Sequence, residues 1–396
     1  MSFKVFKREG FDEIVCFDSL VFVVDEHERL LSVSSIHGAI PPDNLVIPSV
    51  LPSGHKISAI ASGFKVYPRC VSIKISDDIS VIEERAFSPL SGVYKVIWPK
   101  SCTSIPERCF EYGNIVEIEG IEDVKTIGKS AFHGCYIERF TVPSGVTIIP
   151  SGIFKSCGSL VEIVLHDNIT RIDASAFWGS KITEIRWPSR CSIIPKTCFR
   201  CCHRLTKIEN IENVTAIGKQ AFSSTGLKSF NWPKQCKEIP GECFSACELV
   251  SIEGIEDVET VGSYAFKKCK KLKKIKWPSK ACSIPSGCFY ETRSLREIEI
   301  PDTVSEIGER SFVRSGFTTF KWPPLCNDIP NFCFYMSNLE TIAGIENVNA
   351  IGEYAFGYSS IRSLDLSKTN VLSIGPNAFC EIDEDQIILP YYLNNY

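Results

Sequence analysis

From about residue 45 to residue 379, apolar residues return in one frame. Each unit opens apolar-x-x-apolar-x-x, then carries an apolar residue at position 10, Ile or Val at position 13 and Phe at position 18. The Phe series is Phe64, Phe87, Phe110, Phe132, Phe154, Phe177, Phe199, Phe222, Phe244, Phe266, Phe289, Phe312, Phe334, Phe356 and Phe379, and every step is 22 or 23 residues. Such a pattern predicts about 15 coils, each giving a short strand to a long parallel sheet. A single coil cannot bury its apolar side, so each depends on stacking against its neighbours. At roughly 4.8 Å per strand, the expected body is about 70 Å long, curved or elongated.

Two kinds of coil alternate. One reads "WPSRCSIIPKTCF" (187–199), with equivalents starting at Trp98, Trp232, Trp277 and Trp322; from Trp187 onward the Trp residues are 45 apart. The other reads "IEGIEDVKTIGKSAF" (118–132), with equivalents starting at 208, 252 and 342. Position 6 therefore swings between large and small residues: Trp98 then Gly120, Trp187 then Asn210, Trp232 then Gly254, Trp322 then Gly344. Stacked Trp side chains would collide, so the small residues are expected to make room for the indoles in a filled core.

The same alternation interprets the cysteines. Position 10 holds Val or Ile in plain coils and Cys in four Trp-Pro coils (Cys102, Cys191, Cys236, Cys326). Cys282 is read as the same position displaced by one inserted residue. Position 17 holds Ala in most plain coils and Cys109, Cys198, Cys243, Cys288 and Cys333 in the Trp-Pro coils. Cys that exchanges with Val or Ala is expected to act as a small buried hydrophobe. The total of 19 Cys is odd, so complete pairing within one chain is impossible. Cys135/Cys157 and Cys247/Cys269 fall at equal positions in adjacent coils and are the first pairs to consider for a disulfide. Zinc spacing is not repeated and the six His are scattered, so no metal and no cofactor is expected.

Composition narrows the classes further. The formal charge of -4 over 396 residues gives no global field for nucleic acid, and no nucleic-acid partner is expected. The apolar run 14–24 contains Asp18 and is too short to span a bilayer, so neither membrane insertion nor a signal peptide is expected. That points by default to a cytoplasmic, reducing compartment. "IGKS" (127–130) lacks the earlier Gly of a phosphate loop and recurs as "IGKQ" (217–220), so it is repeat grammar. Asn168 and Asn213 head glycosylation sequons, which matter only for a secreted chain. With no catalytic motif standing outside the repeat, the chain is expected not to be an enzyme.

A period in the twenties with an L-x-x-L-x-L-like head marks a leucine-rich repeat solenoid, an α/β-type repeat that is here β-rich. "LREIEIPDTVSEIGERSF" (295–312) and "LKKIKWPSKACSIPSGCF" (272–289) resemble the BspA-like leucine-rich repeat family. The resemblance includes a Cys three residues after Phe, at Cys135, Cys157, Cys202, Cys247 and Cys269, and covers about five-sixths of the chain. It implies an interaction or adhesion protein at a cell surface, attaching to host cells, matrix proteins or other microbes. The alternative is a cytosolic scaffold or regulatory binding module.

Position 5 of each strand should face the open side of the sheet, flanked by two core positions. It reads Arg186, Glu209, Asn231, Glu253, Lys276, Glu299, Lys321, with cationic or amide residues alternating with Glu. These are the candidate partner-binding residues, for a protein or glycan ligand met by a monomer. A lysine-rich stretch, 267–280, makes Lys270, Lys271, Lys273 and Lys274 a candidate patch for an anionic ligand, although flanking coils carry compensating glutamates. Residues 1–44 lack the repeat and are expected to form a β cap; residues 45–379 form the solenoid, and residues 380–396 close it.

Overall fold

The structure is a computed structural model that describes residues 4–8, 11–15 and 20–393. The expected caps therefore lie partly outside the described residues, at 1–3, 9–10, 16–19 and 394–396. Four strands open the chain: β1 (Lys4–Arg8), β2 (Phe11–Val15), β3 (Leu20–Asp25) and β4 (Arg29–Ser35). They pair antiparallel in sequence order. After β5 (Asn44–Ile47) the chain returns as β6 (Ala59–Val66), which pairs parallel with β4. The N-terminal sheet thus runs into the repeat through backbone hydrogen bonds. Arg29 fastens the junction: its Nε donates to Asp25 Oδ2 at 2.7 Å and its Nη1 to Glu83 Oε1 at 3.1 Å.

The protein is a leucine-rich repeat β-solenoid, and each coil has the same three parts. An inner strand of about three residues, such as Glu184–Arg186, buries its middle side chain and exposes the two beside it. A two-residue second strand follows, for example Ile239 with Glu238. The coil then closes around its Phe through a turn. Among the described residues the only helical segments are two single 3-10 turns, Glu384–Gln386 and Tyr391–Leu393.

That turn is an alternating backbone. From Phe110 onward, the residues two before and two after each Phe take left-handed φ: Glu242 (56°) and Ala246 (59°) flank Phe244. Alternation aims every second amide at the next coil. Glu242 N donates to Ser263 O at 3.0 Å, Phe244 N to Ala265 O at 2.9 Å and Ala246 N to Lys267 O at 2.6 Å. The turn thereby satisfies its backbone groups without helix or sheet.

The chain divides into two compact units, residues 1–191 with 208–210, and residues 192–207 with 211–396. Each has its own aromatic spine. In the first, Phe87, Phe110, Phe132 and Phe154 stack nearly parallel at 5.4 to 5.5 Å. In the second, Phe244, Phe266, Phe289 and Phe312 do so at 5.6 to 5.8 Å. All are fully buried. Each Phe contributes on the order of 1.5–3 kcal/mol by burial, and each stacked pair about 0.5–1.5 kcal/mol more.

The 45-residue period is also a hydrogen-bonding period. In the second unit Ser229–Asn231 pairs with Ser251–Glu253, Lys274–Lys276 with Glu297–Glu299, and Thr319–Lys321 with Thr341–Ala343. These are three separate two-stranded sheets. A Trp coil thus bonds to the plain coil after it, and the inner ladder is interrupted before the next Trp coil. Most of the short second strands pair two by two in the same way, Glu238–Ile239 with Thr260–Val261, but Asp328–Ile329, Ala350–Ile351 and Ser373–Ile374 form one three-stranded ladder.

The five Trp at position 6 are core residues, 0 to 3% exposed, whereas Trp178, beside Phe177, is half-buried. The reason for Gly between them needs correction. A Cβ on Gly254 would lie 2.8 Å from the backbone oxygen of Trp232, and its φ is +76°. Backbone approach and a left-handed conformation select Gly here, rather than space for an indole. Asn210 meets the same demand with φ 63° and donates Nδ2 to Trp187 O at 2.7 Å.

The cysteines at positions 10 and 17 are buried and, like all the described cysteines, free thiols. That includes Cys135, Cys157, Cys247 and Cys269, the pairs considered for disulfides. One assignment is corrected: there is no insertion before Cys282. Ala281 occupies buried position 10 and Cys282 is exposed beside it.

Candidate interaction surface

The inner strands present every expected position-5 side chain to solvent. Arg186 and Glu209 are exposed in the first unit; Asn231, Glu253, Lys276, Glu299 and Lys321 are exposed in the second. Strand register sets Asn231 opposite Glu253 and Lys276 opposite Glu299, while Lys321 faces Ala343.

Ion pairing differs from a simple ladder along that row. Lys274, two residues earlier on the same strand face as Lys276, bridges Glu299 at 2.9 Å and Glu297 at 3.1 Å. These bonds lower the Glu299 pKa and raise that of Lys274. Arg186 reaches Asp167 at 3.2 Å, and Lys321 reaches Asp302 at 3.5 Å. Asp167 and Asp302 lie in the bends after inner strands, which the row of position-5 residues did not include. All these pairs are exposed, so solvent screens them and they add little to stability. Their effect is to fix where charge is displayed.

Clefts open where the inner ladder is interrupted. One of about 470 Å³ is lined by Lys276, Trp277, Glu299, Asp302, Lys321 and Trp322. Another of about 550 Å³ runs between Ile252, Glu253 and Glu256 on one side and Lys274 and Lys276 on the other. In the first unit a cleft of about 490 Å³ is lined by Arg139, Glu162, Glu184, Arg186 and Glu209. Each mixes acidic and basic groups over an apolar floor. The period-45 break that creates them had a sequence signal, the alternation of coil types, but strand pairing was not legible from it.

The candidate lysine patch divides. Lys271 pairs with Glu248 and Lys274 with its two glutamates. Lys270 and Lys273 are exposed and form no ion pair among the described residues. No group of three or more His, Cys, Asp or Glu among the described residues is placed to hold a metal ion. No helix among them is long and apolar enough to cross a membrane.

The BspA type leucine rich repeat region matches residues 57–138, 125–251 and 259–384, in six copies, and the chain belongs to that family. Among solved structures it is similar to a leucine-rich repeat protein from Bacteroides ovatus, with 24% identity over 95% of this chain and 91% of that one and a TM-score of 0.70. It is also similar to a leucine rich cell surface protein from Faecalibacterium prausnitzii, with 18% identity over 97% and 96% of the two chains and a TM-score of 0.52. No curated protein matches. Proteins of this family and fold are generally interaction proteins and typically non-enzymatic.

Proposed function

We propose that this chain is a non-enzymatic adhesion-type protein that presents its inner strand face to a protein or glycan partner outside the cell. The observation that carries the reading is the row of exposed, charge-alternating side chains, Asn231, Glu253, Lys276, Glu299 and Lys321, standing over clefts at the ladder breaks. Short strands on a stacked core fix the spacing of these groups, so a partner meets a preorganised surface. Family membership supports the extracellular setting, and one protein of this fold, from F. prausnitzii, is described as a cell surface protein.

Protease shaving of intact source cells tests the location: peptides from 45–379 released without lysis support it, and release only after lysis transfers the same face to a cytosolic scaffold. Binding of the purified chain to host-cell and matrix preparations tests the face. Loss of binding in Lys276→Glu/Lys321→Glu supports it, and unchanged binding removes it.

A further inference from the structure

The turn edge of the coils in the second unit, where each closes about its Phe, carries a surface chemically different from the inner strands. The residue two before Phe is left-handed in every coil from Phe87 onward, and it is mostly small, polar or Gly: Ser130, Gly152, Thr197, Gln220, Asn377. In three coils it is instead a large ring: Tyr264 (φ 60°), Phe332 (56°) and Tyr354 (50°). Bulky side chains rarely accept that conformation, so these rings are held there against local preference.

Cations sit on the rings. Lys267 Nζ lies 5.1 Å from the Tyr264 ring and 5.5 Å from Tyr290. Arg310 lies 4.7 Å over Phe332, which stacks on Tyr354 at 5.2 Å. Tyr335 meets Tyr354 and Tyr358 edge-on at 5.8 and 5.6 Å. Arg314 packs on Met336 with its Nε 3.4 Å from the sulfur and reaches Glu291 at 3.8 Å. Lys268 and Arg293 are exposed on the same turns and form no ion pair among the described residues. Against Lys267, Lys268, Arg293, Arg310 and Arg314, the acids on the same turns are Glu291, Glu309 and Glu353, with Glu242 of the preceding turn near Lys267, so cations remain in excess.

We infer that this turn face, from Tyr264 to Tyr358, is a second binding site, for a sulfated or carboxylated polysaccharide. Excess positive charge selects an anionic chain. The rings clamp Lys267 and Arg310 in place, which reduces the entropy lost when an anion is gripped. Tyrosine hydroxyls add neutral donors. Single-stranded nucleic acid fits less well, because base stacking needs free ring faces, and Phe332 lies between Arg310 and Tyr354.

The test is binding of the full chain to heparin, measured by calorimetry across a salt series, beside chemically desulfated heparin and a thymidine oligonucleotide. Two variants probe the site. Tyr264→Ser/Phe332→Ser/Tyr354→Asn installs residues that the same turn position already carries at Ser130 and Asn377. Lys268→Glu/Arg293→Glu changes only exposed side chains. The wild type should bind heparin in a salt-sensitive manner and lose affinity on desulfation. Each variant should weaken binding by about tenfold or more, the equivalent of about 1.4 kcal/mol, while Lys276→Glu/Lys321→Glu on the inner face leaves it unchanged. No binding by the wild type, equal binding by both variants, preference for the oligonucleotide, or loss only in Lys270→Glu/Lys273→Glu would each overturn the assignment.

Discussion

The indole nitrogen of Trp232 donates to the carbonyl oxygen of Cys236 at 2.9 Å, inside the core. The same bond recurs from Trp98 to Cys102, Trp187 to Cys191 and Trp322 to Cys326. It closes the Trp-Pro bend and satisfies a buried N–H. Trp277 breaks the series: its Nε1 has no partner. Its coil is also the one with Ala281 at position 10, and the next coil carries Ile300 where others have Gly or Asn. Trp232→Phe should therefore destabilise more than Trp277→Phe, by about 1 kcal/mol, since only the first orphans a bonded carbonyl. Urea titration of the two variants measures the difference.

Gly254 distinguishes backbone demand from side-chain volume. Gly254→Leu must place a Cβ against the Trp232 carbonyl at a left-handed φ, and should cost roughly 1–3 kcal/mol. Gly254→Asn should be much milder, because Asn210 already fills the equivalent place. Equal costs in thermal melts would return the explanation to indole packing.

Two classes of buried cysteine should respond oppositely to substitution. Cys247, three residues after Phe244, donates Sγ to Phe222 O at 2.8 Å. Thr225 and Thr292 hold that position elsewhere and also donate to a carbonyl, but to that of the Phe in their own coil, Phe222 at 2.9 Å and Phe289 at 2.8 Å. Cys243 is at position 17, where plain coils carry Ala221 and Ala265. Cys247→Ser should be tolerated better than Cys247→Ala, by about 1 kcal/mol, and Cys243→Ala better than Cys243→Ser. Circular dichroism melts of the four variants decide it.

Burial makes most thiols inert and ties stability to alkaline pH. Desolvation pushes Cys191 and Cys236 up to about 11 and Cys326 up to about 12, from an ordinary value of 9.0. Folding thus favours the protonated thiols. That contribution is complete below pH 9 and is lost as pH rises towards 11 to 12. Replacing Cys191, Cys236 and Cys326 by Val should flatten the alkaline loss of stability, read as melting temperature against pH. Among the described cysteines, Cys282 should react first with a thiol reagent such as DTNB, being exposed, whereas Cys109, Cys243, Cys288 and Cys333 should react only on unfolding.

Much of the fold was legible because burial imposes periodicity. Phe at 22 or 23 residues set the coil, and Cys exchanging with Val or Ala marked positions 10 and 17 as core. Other features leave weaker traces. The left-handed residues flanking each Phe include Arg108, Glu242 and Tyr264, which carry no glycine signature. The position of Cys282 was readable: Trp277 to Phe289 and Trp187 to Phe199 are both twelve residues (289 − 277; 199 − 187), so nothing is inserted. Which acids meet the exposed cations was not readable. Asp302 and Asp167 reach Lys321 and Arg186 from bends, and bend geometry depends on where the ladder breaks. The ring-and-cation surface was hidden because its residues are spread over five coils and one edge of each.

Site-specific photo-crosslinking tests the central claim most directly. A benzophenone side chain is placed in turn at Asn231, Lys276 and Lys321 on the inner strands, and at Lys237 and Asp328 beside the short second strands, all exposed positions. Irradiation in contact with whole host cells should yield covalent adducts from the three inner positions and none from the two controls. Adducts from Lys237 and Asp328 alone, or from no position at all, would contradict a protein that works by presenting its inner strand face.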